Sequence, residues 1–346
     1  MSTKKCFIIN HNNTIREALV ALNNVSGENQ SLFVVNDALQ MVGSLSDGDI
    51  RRGIINGGNL EDKVETIMHR DFKFLYKKEY DVAHLKAFRE SRILFIPILD
   101  EQKHIVDSVN MLYMKSQLPV DAVLMAGGKG ERLRPLTEKT PKPLLPIGDK
   151  AIIDHNIDHL ISYGVKHINV TVNYLKEQIE EHFAEPYNGI QVRTFQEPFF
   201  LGTMGSVKFV DSFVNDMVLV MNSDLLTNID YEDFYLDFLN NDADMSVAAV
   251  PYAVNVPYGI FELNGCDIHG LKEKPTYNYY ANAGIYLIKR KLLNLIPAEK
   301  FFDATDFIEM LISNNYKVIR FPLVGYWIDI GKPEDYQKAI ELVKIL

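Results

Sequence analysis

The chain has 346 residues, 47% hydrophobic and 24% charged, an ordinary globular balance on a chain long enough for two cores. Its net charge of −10 argues against a general nucleic-acid binder, which needs a basic surface, but leaves room for a local cationic pocket. Two cysteines, Cys6 and Cys266, form no disulfide framework and suit a reducing, cytoplasmic setting; no apolar run has the length of a membrane span or a signal peptide.

In chain order, Thr14 caps a predicted helix from Ile15, with Glu17 as capping-box partner. Residues 31–35 and 41–45 read as strands, and Ser46-Asp47-Gly48-Asp49 opens a second helix at an acidic end. The order then recurs: a helix from Val82 to Glu90, a strand over 94–100 and another over 104–109. This helix-strand-strand-helix repeat resembles a pair of CBS modules over Met1 to Leu118. The resemblance implies a regulatory nucleotide held at Asp49 with Ser46 nearby, and association into a homo-oligomer. The second copy lacks a Ser/Thr-x-x-Asp after Val106, which leaves one nucleotide site or none. Asp47 and Asp49 are equally accounted for as charges matching a helix N-terminus.

Pro119 marks the joint to the region 119–346, where strands and helices alternate. Residues 122–126, 167–172, 217–221 and 245–250 read as strands, with a helix between the first two that stops at Gly164. This pattern predicts an α/β domain with a mainly parallel sheet, and ligands beyond the carboxyl ends of its strands. Two chemical features fall at such ends: a glycine turn, Gly127-Gly128-Lys129-Gly130, and Asp224.

The turn sits in Leu124-Met125-Ala126-Gly127-Gly128-Lys129-Gly130-Glu131-Arg132-Leu133-Arg134-Pro135, with Pro141-Lys142-Pro143 close behind. Bare backbone N–H groups approach phosphate oxygens, and the cations answer their charge. No Gly-Lys-Ser/Thr closes the turn, so it is not a Walker A loop, and Leu133 replaces the third glycine of a dinucleotide fingerprint. Asp224 and Asp329 each sit among apolar residues, where a carboxylate is costly without a cation, so the pair suits Mg²⁺; each is alternatively a cap or turn residue. His155 and His159, at helical spacing, read as a helix-face pair, and Tyr277, Tyr279 and Tyr280 as a partly exposed loop.

Together the turn, its arginines and the Pro-Lys-Pro resemble the signature of the sugar-1-phosphate nucleotidyltransferases. That family has a Rossmann-like domain and joins a nucleoside triphosphate (NTP) to a sugar 1-phosphate. The resemblance covers nearly all of Asp121 to Leu346. It implies Arg132 and Lys142 as catalytic cations, and a nucleotide held by Leu124, Ala126, Gly127, Gly128, Gly130, Gly202 and Thr203. It further implies Glu273, Lys274 and Asn282 on the sugar phosphate, with Mg²⁺ on Asp224 and Asp329. A fused CBS pair is similar to the glucosamine-1-phosphate guanylyltransferases of bacterial legionaminic-acid synthesis, favouring GTP. Mannose- or heptose-1-phosphate guanylyl transfer and thymidylyl or uridylyl transfer are alternatives, as is an inactive nucleotide sensor.

Overall fold

The computed structural model describes residues 7–25, 31–77 and 81–345; Cys6 lies outside them. They divide into two compact units, one ending at Ser116 and one beginning at Gln117. Among the described residues, no helix is long and apolar enough to cross a membrane.

The first unit contains β1 (Ile8–Asn10), α1 (Ile15–Asn24), β2 (Ser31–Val35), β3 (Met41–Ser46), α2 (Asp47–Ile55), β4 (Leu75–Tyr76), α3 (Val82–Glu90), β5 (Phe95–Leu99) and β6 (Ile105–Asn110). Its two sheets repeat one pattern, β1-β2-β3 and β4-β5-β6, each with a parallel and then an antiparallel pair. The register repeats residue for residue. Ser31 faces Ser46 as Phe95 faces Asn110, and both ladders shift at the same place, between Val34 and Val35 and between Ile98 and Leu99. The turns repeat as well: Asn36 Oδ1 accepts from the N–H groups of Ala38 and Gln40, and Asp100 Oδ1 from those of Gln102 and His104. Phe33 stacks on Phe95 at 4.5 Å between ring centroids, within a cluster joining the two sheets. The copies part at their ends. Where the first has α2, residues 111–120 of the second form no helix and run on into the next unit.

The second unit contains β7 (Asp121–Ala126), β8 (Pro146–Ile147), β9 (Lys150–Ala151), α4 (Ile152–Ser162), β10 (His167–Val172), α5 (Lys176–His182), β11 (Val192–Gln196), α6 (Gly202–Val207), β12 (Met217–Asn222) and β13 (Leu225–Thr227). It continues with α7 (Tyr231–Asn240), β14 (Met245–Asn255), β15 (Ile260–Asn264), β16 (Asp267–Lys272), β17 (Thr276–Lys289), α8 (Ala304–Ser313), β18 (Val318–Pro322), β19 (Trp327–Asp329) and α9 (Pro333–Val343). Seven strands form one sheet in the order β11-β10-β7-β12-β17-β14-β18. All neighbours are parallel except β17, which runs against both β12 and β14.

Successive residues Val123 and Leu124 are both fully buried, so both faces of the sheet are covered. Side chains from α6 and α8 pack with Val123, Val218 and Val220 on one face. On the other, Tyr231 of α7 donates its hydroxyl to Met221 Sδ. From β7 the chain steps to β10 and β11 on one side and then crosses back to β12 on the other, so the crevice for a ligand is expected at the carboxyl ends of β7 and β12. One expectation is corrected here. Tyr277, Tyr279 and Tyr280 lie in β17 rather than in a loop; β17 and β14 stay paired beyond the rest of the sheet as a two-stranded arm exposed on both faces, which removes the in-out alternation that marks a strand.

Candidate functional site

A cavity of about 360 Å³ lies where the crevice was expected, lined by Met125, Ala126, Gly128, Gly130, Glu131, Arg132, Lys142, Pro143, Ser223 and Asp224. Ala126 ends β7, and Ser223 follows directly on β12. Lys142 heads a single 3₁₀ turn, Lys142–Leu144, entered from Pro141 at φ −62°. The turn is anchored behind by a small core of Leu133, Leu145, Ile147, Ile152, Leu226 and Ile330. Lys142 is 8% exposed, and its ammonium pairs with Asp224 Oδ2. A cation this buried is tolerable only with such a partner.

Asp329 lies 105 positions beyond Asp224, and a short ladder brings them together. Leu225 of β13 pairs with Asp329 of β19, and the Ile330 N–H donates to the Asp224 carbonyl at 3.1 Å. The Asp329 carboxyl is pushed above the usual carboxylate range, first by burial and then by the charge of Asp224; Lys142 and Arg132 pull the other way. The Arg132 guanidinium lies over Gly331, 3.2 Å from where a Cβ there would stand, beside the same ladder. Two carboxylates and two cations therefore share one end of the sheet.

The chemistry of this cluster fits a divalent cation. Asp224 Oδ1 is buried with no hydrogen-bond partner, while its other oxygen holds a lysine that a stronger cation would displace. The upward shift of Asp329, caused by burial and then by Asp224, is one that a nearby positive charge would oppose. Among the described residues, no group of three or more His, Cys, Asp or Glu side chains could hold a metal. A cation held by Asp224 and Asp329 would take its remaining coordination from ligand and water oxygens, as is usual for Mg²⁺ on phosphates.

The other sequence-predicted residues are placed in different ways. Gly128 and Gly130 join Ala126 on the cavity wall. Leu124 is fully buried, its backbone laddered to Val170 and Met221, so it supports the turn from below. Gly202 and Thr203 open α6 and are clasped from the side: the N–H and hydroxyl of Thr203 both donate to Asp303 Oδ1, and the N–H groups of Met204 and Gly205 to the Phe302 carbonyl. Asn282 uses its amide internally, accepting from the Gly284 N–H and donating to the Tyr286 hydroxyl. Glu273 and Lys274 are exposed after β16 and do not line the cavity. Arg134 is also outside it, 4.0 Å from Glu131. His155 and His159 give ring nitrogens to the carbonyls of Ile147 and Ile229, the structural role expected of a helix-face pair.

In the first unit, Ser46 caps α2 and Asp49 closes the capping box. Asp49 Oδ2 takes the N–H and hydroxyl of Ser46, and Oδ1 takes Arg52. A ribose at this carboxylate would have to displace those bonds.

Sequence reasoning missed Glu197. It is 3% exposed, accepts the Leu201 N–H on Oε2, and lies so close to Gly127 that a Cβ there would stand 2.1 Å from Oε1. Burial pushes its carboxyl up. The available signal was its place directly after β11 and four residues before Leu201-Gly202-Thr203.

Known proteins share this unit. The bifunctional protein GlmU of Methanocaldococcus jannaschii is 35% identical over 228 residues, 64% of this chain and 53% of that protein. The chain thus spans about half the length of that relative. The D-glycero-alpha-D-manno-heptose 1-phosphate guanylyltransferase of Campylobacter jejuni is 29% identical, over 63% of this chain and 97% of that protein. The crystal structure of HddC from Yersinia pseudotuberculosis complexed with GMP-PN superposes with a TM-score of 0.50 at 26% identity, covering 65% of this chain and 99% of that one. Residues 121–344, most of the chain, match the Nucleotidyl transferase family, and the chain belongs to it.

Proposed function

We propose that the chain is a sugar-1-phosphate nucleotidyltransferase that favours GTP. The observation carrying this reading is the convergence of Arg132, Lys142, Asp224 and Asp329 beside a glycine turn. In the reaction, a phosphate oxygen of the sugar 1-phosphate attacks the α-phosphorus of the triphosphate. The bond to the bridging oxygen breaks, and pyrophosphate leaves with its electron pair. The attacking phosphate is already anionic near neutrality, with a second pKa of about 6, so no general base is needed. The work is alignment and charge neutralisation. Arg132 meets the outer phosphates, Lys142 turns from Asp224 to the reacting ones, and the turn presents backbone N–H groups. Asp224 and Asp329 would hold Mg²⁺, which when bound supplies positive charge between the triphosphate oxygens.

Two observations support guanine. Glu197 forms a buried acceptor between the glycine turn and the Leu201-Gly202-Thr203 loop. The guanine edge offers adjacent N1–H and N2–H donors to such a carboxylate, whereas uracil and thymine offer one N–H between two carbonyls that the carboxylate would repel. The Campylobacter jejuni relative is named a guanylyltransferase, and the Yersinia pseudotuberculosis structure holds GMP-PN. For the sugar we favour glucosamine 1-phosphate, on the resemblance to the legionaminic-acid guanylyltransferases; mannose and heptose 1-phosphates are the competing acceptors. We read the first unit as a CBS pair that tunes turnover through a nucleotide in a cytoplasmic homo-oligomer; its support is the internal repeat. Pyrophosphate release with a panel of triphosphates and sugar phosphates tests the reading. Turnover fastest with GTP and an amino-hexose 1-phosphate is expected, and no turnover with any pair would leave only a nucleotide-binding protein.

A further inference from the structure

Asp224 is held by its backbone as well as by its side chain. Three consecutive carbonyls, of residues 223, 224 and 225, all accept hydrogen bonds. The middle one takes the Ile330 N–H at 3.1 Å. The outer two converge on one amide, that of Asn156 in α4, which donates to Leu225 O at 2.8 Å and to Ser223 O at 3.3 Å. The same nitrogen reaches Ile152 O one turn back at 3.3 Å. Every acceptor is a carbonyl oxygen, so the NH₂ group must face them. Asn156 is 3% exposed. It therefore grips the carbonyls of the residues on each side of Asp224 from a rigid helix, while Ile330 holds the carbonyl of Asp224 itself and Ser223 ties the segment to β7 through its N–H and hydroxyl on the Met125 carbonyl.

We propose that Asn156 is a positioning residue for the metal-binding carboxylate: it fixes the peptide planes around Asp224 so that Oδ1 points at the place shared with Asp329. This rests on the reading of Asp224 as a cation ligand. An amide that merely filled core space would not need both flanking carbonyls. A leucine of similar volume would fill the space and leave two buried acceptors without donors, free to rotate. The cavity of about 230 Å³ that Asn156 lines with His155, His159 and Tyr326 gives such a variant room without overpacking.

The test titrates Mn²⁺ into the full chain, following the free-ion electron paramagnetic resonance signal, for wild type, D224N and N156L. Loss of an orienting outer contact weakens metal affinity about 10- to 100-fold, so N156L should bind Mn²⁺ at least about 10-fold more weakly than wild type. The Mg²⁺ concentration giving half-maximal turnover should rise in proportion, with a smaller fall in kcat at saturating Mg²⁺. The unfolding midpoint in EDTA serves as control, because a purely structural role would lower that midpoint and leave Mn²⁺ affinity of the folded protein unchanged. Should N156L fail to fold, N156A replaces it. Wild-type Mn²⁺ affinity in the folded Asn156 variant, with binding lost in D224N, overturns the positioning role alone. Equal binding by wild type and D224N overturns the metal assignment and this inference together.

Discussion

Asp49 and Asp224 look alike in sequence: each comes just after an apolar strand, in a short polar turn with a serine. In the fold they are opposites. Asp49 has both oxygens occupied, by Ser46 and Arg52, and closes a helix cap. Asp224 has one oxygen on a buried lysine and the other with no partner. The unfilled lone pairs separate a carboxylate that stabilises its own chain from one we propose to be a ligand site. The surroundings differ too: Asp49 is closed by residues three positions away, while Asp224 is one of four charged groups gathered from distant segments at one strand end.

That contrast can be broken by substitution. D224N should lower turnover by about 10³-fold or more at temperatures where it stays folded, in line with the loss of a main electrostatic contact, and should also lower the unfolding midpoint, because Lys142 is left buried without its charge partner. Near-normal pyrophosphate release from this variant would return Asp224 to the class of Asp49. K142M should cost about 10²- to 10³-fold in kcat and, by removing the competing cation, tighten Mn²⁺ binding to the ligand-free protein. Unchanged kcat would mean that the lysine only neutralises Asp224. E197Q should reduce kcat/KM for GTP by about 10²-fold relative to UTP; an unaltered ratio would remove Glu197 from base selection.

Proton linkage sharpens the comparison, because the signs differ. Asp329 titrates above its ordinary value owing to burial and then to Asp224, so metal-free stability falls as pH rises from the unfolded value of about 3.9 through the raised folded one. D329N should therefore unfold at a higher temperature than wild type at neutral pH in EDTA, the gap closing below about pH 4. For Asp49, burial pushes the pKa up, but the Ser46 bonds and Arg52 together outweigh it and hold it low. Its contribution is present above the unfolded value and is lost as pH falls through the folded one. The smallest effect is then D49A: about 1 kcal/mol of stability, typical of a lost helix cap, measured by urea unfolding, with turnover untouched. A large loss of activity would assign Asp49 a ligand role after all.

Much of the fold was legible because buried strands write themselves as apolar runs. β7, β10 and β12 fall on such runs, and α1 and α2 begin at their capping boxes. The long arm of β17 was not, since a ribbon wet on both faces carries no pattern of burial. The glycine turn and its cations were readable as one contiguous segment. Asp224 and Asp329 were readable as a pair from their apolar surroundings and the family resemblance, but the ladder that joins them was not, because register between distant segments such as β13 and β19 has no local signature. The roles of Glu197 and Asn156 stayed hidden for a similar reason. A lone carboxylate or amide is unremarkable until its acceptors and neighbours are known.

The contact between Gly127 and Glu197 makes mutational neighbours of two residues seventy positions apart. A methyl group added at Gly127 would collide with the Glu197 carboxylate, so the turn proposed to bind phosphate and the carboxylate proposed to select the base cannot drift separately. A G127A change should be partly forgiven once Glu197 is shortened to alanine, giving a double variant healthier than the first single one. A lineage that alters its choice of base at this wall must do so under the constraint of the turn beside it.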